Sequence, residues 1–172
     1  RLDSLPLASI TIHPRVAKQM YDGDIDISSF TECLALTRHE IVYNGDIDSV
    51  ESFGRVWELF GRRVRGWMIG RGAVRDPFLP ARLQGGAALP AEQKLEKVRA
   101  FHRELFDRCR DTYSGRGPLL GRMKELWKLM GGSLRGAESL VGKLCRTESV
   151  KSYLACAERL LGGEYEWQGS DK

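Results

Sequence analysis

Three short β-branched runs, separated by helical stretches, limit what this chain can fold into more than any other feature. They are Ser9-Ile10-Thr11-Ile12-His13, Glu40-Ile41-Val42-Tyr43 and Gly66-Trp67-Met68-Ile69-Gly70. Between the first two, Phe30, Leu34 and Thr37 recur at helical spacing; between the second and third, Val50, Phe53, Val56-Trp57 and Phe60 do the same. Strands about 25–30 residues apart with a helix between them are βαβ units, which demand a parallel sheet. Three such strands cannot close a barrel, and their apolar character asks for cover on both faces. The first half therefore predicts an incomplete α/β sheet.

The pattern changes past Asp76, where Pro77, Pro80, Gly85, Gly86 and Pro90 interrupt any regular period. Beyond them the period is helical throughout. Leu95, Val98, Phe101, Leu105, Cys109 and Tyr113 form an amphipathic stripe over 91–113. Ser114-Gly115-Arg116-Gly117-Pro118 reads as a turn, and Leu119, Met123, Trp127 and Met130 mark a second helix that Gly131-Gly132 ends. Leu140, Val141 and Leu144 mark a third; Val150, Tyr153, Leu154, Ala157 and Leu161 mark a fourth, which begins near Thr147-Glu148-Ser149 and closes at Gly162-Gly163. The expected organisation is α/β plus all-α: an α/β portion over 1–89 and a small helical bundle over 90–172.

Composition bounds the class. A chain of 172 residues, 42% hydrophobic and 29% charged, is long enough for one domain or two small ones and too apolar for disorder. No run approaches the roughly 18 apolar residues of a membrane span, and no charged-then-apolar leader precedes a small-residue cleavage site. A soluble, cytoplasmic protein is expected. The sequence begins at Arg1, with a strand-like run almost at once, which fits a processed protein or a piece of a longer one. Cys33, Cys109, Cys145 and Cys156 are widely spread, with no C-x-x-C pair and no His at zinc spacing; they read as reduced, buried thiols, and no metal is expected. Residues 1–90 hold 11 basic and 11 acidic side chains, whereas 91–172 hold 16 and 12, the whole of the net charge of +4. A neutral half joined to a basic half suggests a polyanionic partner for the second; a solvated helical surface explains the same excess.

Chemistry in a parallel sheet gathers in the loops after the strands. The first such loop is His13-Pro14-Arg15, able to donate to an anionic or carbonyl-rich ligand, or simply structural. The second is Asn44-Gly45-Asp46-Ile47, where Gly45 allows close backbone approach beside an amide and a carboxylate; it also reads as a plain turn. The third is Gly70-Arg71-Gly72-Ala73, whose glycines free backbone N–H groups at the start of a short helix, next to a guanidinium. That combination suits a phosphate. One phosphate-bearing cofactor touched by three successive strand ends is the economical reading.

The order and spacing of these motifs resemble the tRNA-dihydrouridine synthase family. Ile12-His13-Pro14-Arg15, Gln19-Met20-Tyr21, Tyr43-Asn44-Gly45-Asp46-Ile47, Met68-Ile69-Gly70-Arg71-Gly72-Ala73 and Pro77 look like that family's last three TIM-barrel strands. Arg122-Met123-Lys124-Glu125-Leu126-Trp127 looks like part of its helical tRNA-binding domain. The resemblance spans about residues 9–162, and N-G-D-I followed by M-I-G-R-G-A is its most specific part.

The resemblance implies reduction of uridine to dihydrouridine in tRNA, with FMN recharged by NADPH. It implies that His13 contacts the flavin, that Asn44, Gly45 and Asp46 line its ribityl and phosphate side, and that Gly70 and Arg71 hold the phosphate. Arg15, Tyr21, Arg122 and Lys124 would face the tRNA. Two departures stand out. Pro14 replaces the small residue usual between His and Arg, and the chain has no Cys-Pro pair, so the family's catalytic cysteine is missing together with about five of the eight strands. No catalytic residue is therefore expected here, and the upstream barrel strands are implied as a partner of this chain. Two other readings fit parts of the sequence: a non-catalytic RNA-binding protein retaining a half-barrel, and another FMN-dependent barrel oxidoreductase.

Overall fold

A computed structural model describes residues 2–16 and 23–169. The chain forms two compact units, Arg1–Gly72 and Ala73–Lys172.

The first unit is built on three parallel strands, β1 (Ile10–Ile12), β2 (Ile41–Tyr43) and β3 (Gly66–Trp67), in that spatial order. Ile10 pairs with Ile41 and Ile12 with Tyr43, while Val42 pairs with Gly66 and Tyr43 with Trp67. Helix α1 (Ile27–Leu36) crosses from β1 to β2, and α2 (Val50–Phe60) crosses from β2 to β3. Both helices start on a side-chain cap. Asp26 accepts the Ser29 N–H at 2.9 Å, and Ser49 and Ser52 form a reciprocal capping box.

The cover on one sheet face is aromatic. Phe30 of α1 meets Tyr43 edge-on at 4.9 Å between ring centroids and Phe60 of α2 at 4.7 Å, and all three are buried. Such edge-to-face packing adds to simple burial. The inward face of α2 is Ser52, Val56 and Phe60, whereas Val50 and Trp57 are exposed. Along the β1 side, Leu2, Ile10, Ile12, Cys33 and Leu36 line an open hollow of about 350 Å³.

The second unit packs four helices around one core: α5 (Ala91–Thr112), α6 (Arg116–Met130), α7 (Glu138–Cys145) and α8 (Val150–Leu161). Two shorter helices precede them, α3 (Arg71–Arg75) and α4 (Leu79–Leu83). Three of the expected helical positions turn outward: Phe101, Tyr113 and Leu154 are exposed. On α5 the buried stripe runs instead through His102 and Phe106. The reason is a buried polar relay, in which Trp127 Nε1 donates to Tyr153 Oη at 2.9 Å and Tyr153 Oη lies 2.7 Å from His102 Nε2. A polar residue takes a core position because its partner is there to meet it.

The units divide at Gly72/Ala73 rather than at 89/90, and the Pro/Gly-rich segment is not without structure. Pro80 stands in the first turn of α4, where its missing N–H costs nothing, and Leu79 is fully buried. Asp76 is buried, accepting the Phe78 N–H at 3.1 Å and Arg82 Nη2 at 2.7 Å. Phe78 packs edge-on against Trp167, and Ser133 Oγ donates to the Arg75 carbonyl. These contacts bind the segment to the helical unit. Likewise Arg116 to Pro118 opens α6 instead of forming a separate turn, since a proline in the first helical turn gives up no intrahelical bond.

Candidate functional site

Parallel pairing in register places the three strand ends side by side. The Asn44 N–H donates to the Ile12 carbonyl at 3.0 Å and the Met68 N–H to the Tyr43 carbonyl at 2.8 Å, so the loops leaving β1, β2 and β3 share one edge. His13, Asn44, Gly45, Asp46, Gly70 and Arg71 all belong to these loops.

Asp46 is the hub. Arg15 grips it through two bonds, Nη1 to Oδ1 at 2.8 Å and Nη2 to Oδ2 at 2.6 Å, while Arg71 Nη2 lies 3.5 Å from Oδ1. The Arg15 side chain is 4% exposed, against 38% for Asp46 and 46% for Arg71. Bidentate pairing of this kind is among the stronger charge-assisted contacts. Hydrogen bonds from Arg15 hold the Asp46 carboxyl below its ordinary pKa, overcoming the opposite push of burial, and Arg71 and His13 add to the lowering. Two guanidiniums, Arg15 and Arg71, thus reach one carboxylate, and Asp24 acts on Arg15 from further off.

The backbone around the hub is tight. Asp46 itself has φ +35°, a left-handed conformation uncommon outside glycine. At Gly45 a Cβ would stand 2.8 Å from Tyr43 Oη. A Cβ at Gly72 would come within 2.2 Å of the Ile47 carbonyl oxygen, so only glycine lets the third loop close on the second. Over Gly70, by contrast, a Cβ would meet nothing within 4 Å: the surface there is open to a ligand.

Pro14 preserves the loop. It is buried, its carbonyl accepts the Asp26 N–H at 2.8 Å, and the Arg15 N–H turns back to the His13 carbonyl at 2.8 Å. Next to it, His13 Nδ1 bonds the Asn44 carbonyl. A carbonyl only accepts, so Nδ1 carries the hydrogen, and Nε2 of the neutral ring is an acceptor. Two buried polar atoms in this region, Arg15 Nε and Tyr43 Oη, have no hydrogen-bond partner among the described residues. Burial pushes the Tyr43 hydroxyl up to about 12, so it stays protonated and can donate.

The residues expected to contact nucleic acid belong to both units. Arg15 is buried in the strand-end mouth, and Tyr21 lies outside the described residues. Arg122 is exposed on α6 with Glu125 at 3.3 Å, and the Lys124 ammonium donates to the Thr147 carbonyl. Sequence reasoning missed the closeness of Gly72 to Ile47 and the unpartnered hydroxyl of Tyr43. Their only signals were their places inside the G-R-G-A and Y-N-G-D runs. Among the described residues no group of three or more His, Cys, Asp or Glu could hold a metal, and no helix is long and apolar enough to cross a membrane.

A dihydrouridine synthase (Dus) family model matches residues 7–140. The chain belongs to the dihydrouridine synthase family. The match begins ahead of β1, takes in every strand-end loop described above, and runs on through α5 and α6 into α7. The family's fold is a TIM barrel and its chemistry an oxidoreduction in tRNA processing, so the unrelated-barrel reading falls away. Within that fold, this chain shows a three-stranded parallel sheet and a mostly helical remainder.

Proposed function

We propose that this chain forms the cofactor-phosphate end and the RNA-binding appendage of a flavin-dependent tRNA-dihydrouridine synthase that works in the cytoplasm. The observation that carries the reading is the convergence of three adjacent strand ends on Asp46, with the Arg71 side chain exposed at the mouth and open space over Gly70. The residues fit a phosphate-bearing flavin. Arg71 and the backbone at Gly70 would hold the phosphate, Asn44 to Asp46 would line the ribityl side, and His13 would stand by the ring system. The unpartnered Tyr43 hydroxyl and Arg15 Nε add buried polar atoms of the kind that a water or polar group satisfies.

When bound, FMN would supply hydride to the uracil ring after reduction by NADPH. The rest is work for side chains. Arg71 binds the anion, and His13 is oriented by its bond to the Asn44 carbonyl, with Nε2 left to accept a proton or hydrogen bond. The proton that must reach the neighbouring carbon of the ring comes from elsewhere. Cys33 lies on α1, Cys109 on α5, Cys145 on α7 and Cys156 on α8, and none stands at a strand end. That acid belongs to upstream strands, which makes this chain the C-terminal portion of the enzyme and inactive by itself. Recognition of tRNA falls to the helices, where a basic excess reads the phosphate backbone by charge. Lys124, whose ammonium donates to the Thr147 carbonyl, and the exposed Arg122 are its first contacts.

The visible absorption spectrum of the purified full-length protein, with its intact mass taken from the same sample, tests this reading. Flavin absorbance and a mass well above 19.4 kDa are expected. A colourless protein that takes up no FMN on titration would turn the assignment toward a non-catalytic RNA-binding protein.

A further inference from the structure

We infer that the groove between α5 and α8 is a second ligand site, one that takes a mononucleotide unit: a flat heterocycle carrying a phosphate. The inference goes beyond the flavin reading and does not rest on it.

The groove holds about 490 Å³, within the size range of small-molecule sites. Its apolar lining is Phe106 from α5 with Leu154, Ala157 and Leu161 from α8. Leu154, which turns outward from the core, is 40% exposed on this wall. Charged groups stand among these side chains. Arg99 donates from Nε to the Leu161 carbonyl at 2.9 Å and from Nη2 to the same oxygen, which fixes its guanidinium at the end of α8. Arg103, one turn further along α5, is exposed, and its side chain has no hydrogen bond or ion pair among the described residues. Glu158, the acid in the lining, forms no ion pair among them either.

His102 supplies a buried donor. It lines the groove yet is only 6% exposed. The Tyr153 hydroxyl accepts from Trp127 Nε1 and keeps one hydrogen to give, and the acceptor in its reach is His102 Nε2, at 2.7 Å. Burial lowers the imidazole pKa to about 4, so the ring is neutral and its own hydrogen stands on Nδ1. That Nδ1–H has no partner among the described residues. A buried donor without an acceptor costs free energy until something supplies one.

These features define the ligand. An unsatisfied N–H in an apolar groove asks for a ring nitrogen or a carbonyl on an otherwise apolar body, which an aliphatic chain does not offer. An unpaired guanidinium at the rim asks for an anion, and arginine meets phosphate with charge-assisted, bidentate bonds. A nucleobase with its phosphate joins both in one molecule of the right size. Its source is a free mononucleotide or an unpaired residue of RNA.

Full-length protein carrying its flavin, with unbound FMN removed, is titrated calorimetrically with adenosine monophosphate (AMP), adenosine and inorganic phosphate. AMP should bind saturably and about tenfold more tightly than adenosine, with phosphate alone weaker than either. Arg103→Gln should abolish that advantage while leaving adenosine binding unchanged. Leu154→Glu, which sets a carboxylate on the apolar wall, should weaken AMP by about tenfold. Both side chains are exposed, so neither substitution opens the core, and circular dichroism checks each fold. No saturable binding of AMP, equal affinity for AMP and adenosine, or AMP binding that either substitution leaves unchanged overturns the inference. Unfractionated tRNA separates the two sources. Displacement of AMP by tRNA assigns the site to a nucleotide of RNA, and AMP binding unchanged in its presence assigns it to a free mononucleotide; either result keeps the site. Failure here leaves the flavin reading standing, whereas a colourless protein fails that reading and leaves this titration intact.

Discussion

Asp46 combines a positive φ, two cationic neighbours and a place between two glycine-bearing loops, so small changes around it have separable effects. Gly72→Ala puts a methyl group against the Ile47 carbonyl, where backbone rather than a pliable side chain must move. It should destabilise the first unit by about 1–3 kcal/mol and weaken FMN uptake, seen as a lower denaturant midpoint and a paler protein. Arg71→Ala should lower flavin retention while leaving tRNA affinity nearly intact; equal flavin content in variant and parent would remove Arg71 from the phosphate site. In the second unit, burial depresses the His102 pKa from 6.5 to about 4. The unfolded chain therefore takes up a proton as pH falls through about 6.5, while the folded chain does not until about pH 4. The stability tied to a neutral His102 is complete above that window and drains away across it, an effect of about 3 kcal/mol at most. Thermal melts between pH 7.5 and 4.5 should show this slope, and His102→Gln should flatten it.

Among the elements, helix starts are the clearest product of local chemistry. Asp26, Ser49 and Ser149 each accept a backbone N–H three residues on, so α1, α2 and α8 begin where a capping side chain stands. Ser49→Ala should cost about 1 kcal/mol, read as a shift in the unfolding midpoint with flavin affinity changed far less. Helix faces are another matter. The period of α5 predicts Phe101 and Tyr113 inward, yet both are exposed and the buried stripe runs through His102 and Phe106, because Tyr153 arrives from α8 to meet the imidazole while Trp127 of α6 donates to the same hydroxyl. Spacing reveals that a stripe exists; its centre depends on the partners it meets.

The two units of the molecule differ in how completely each satisfies itself. The helical unit has a continuous core running from Leu95 to Trp167, with Phe78 packed against it. A polypeptide of residues 73–172 should fold as a monomer with one cooperative transition. Residues 90–172 alone should melt lower, having lost Leu79, the Phe78–Trp167 contact and the Asp76–Arg82 pair. Equal melting temperatures for the two would return the boundary to Pro90. The first unit has a short parallel sheet with two edges and an open apolar hollow beside β1. Edges that pair with no further strand among the described residues, with exposed Leu2 and Leu36 beside β1, invite association. Expressed alone, residues 1–72 should elute from size exclusion as aggregates; a sharp monomer peak with a cooperative melt would contradict this.

Much of this protein is written in local pattern. Alternation of β-branched runs with helical periods determined a parallel sheet, because no short connection joins parallel strands. Four helices after Pro90 were legible from three- and four-residue spacing, and the strand-end motifs marked the loops where ligand chemistry gathers. Each of these depends on residues close in sequence. What lay beyond the sequence depends on distance. Arg15 and Asp46 are 31 positions apart, and nothing in either motif says that one guanidinium will be buried as a counter-ion while Arg71 stays exposed. Parallel register decided that, by laying three strand ends against one another. The unit boundary was hidden for the same reason. Prolines and glycines at 77–90 look like a linker until Phe78, Asp76 and Arg75 find Trp167, Arg82 and Ser133. Local propensity sets where the chain can turn or coil, and only the folded packing supplies the partner that makes a buried charge or a buried proline segment stable.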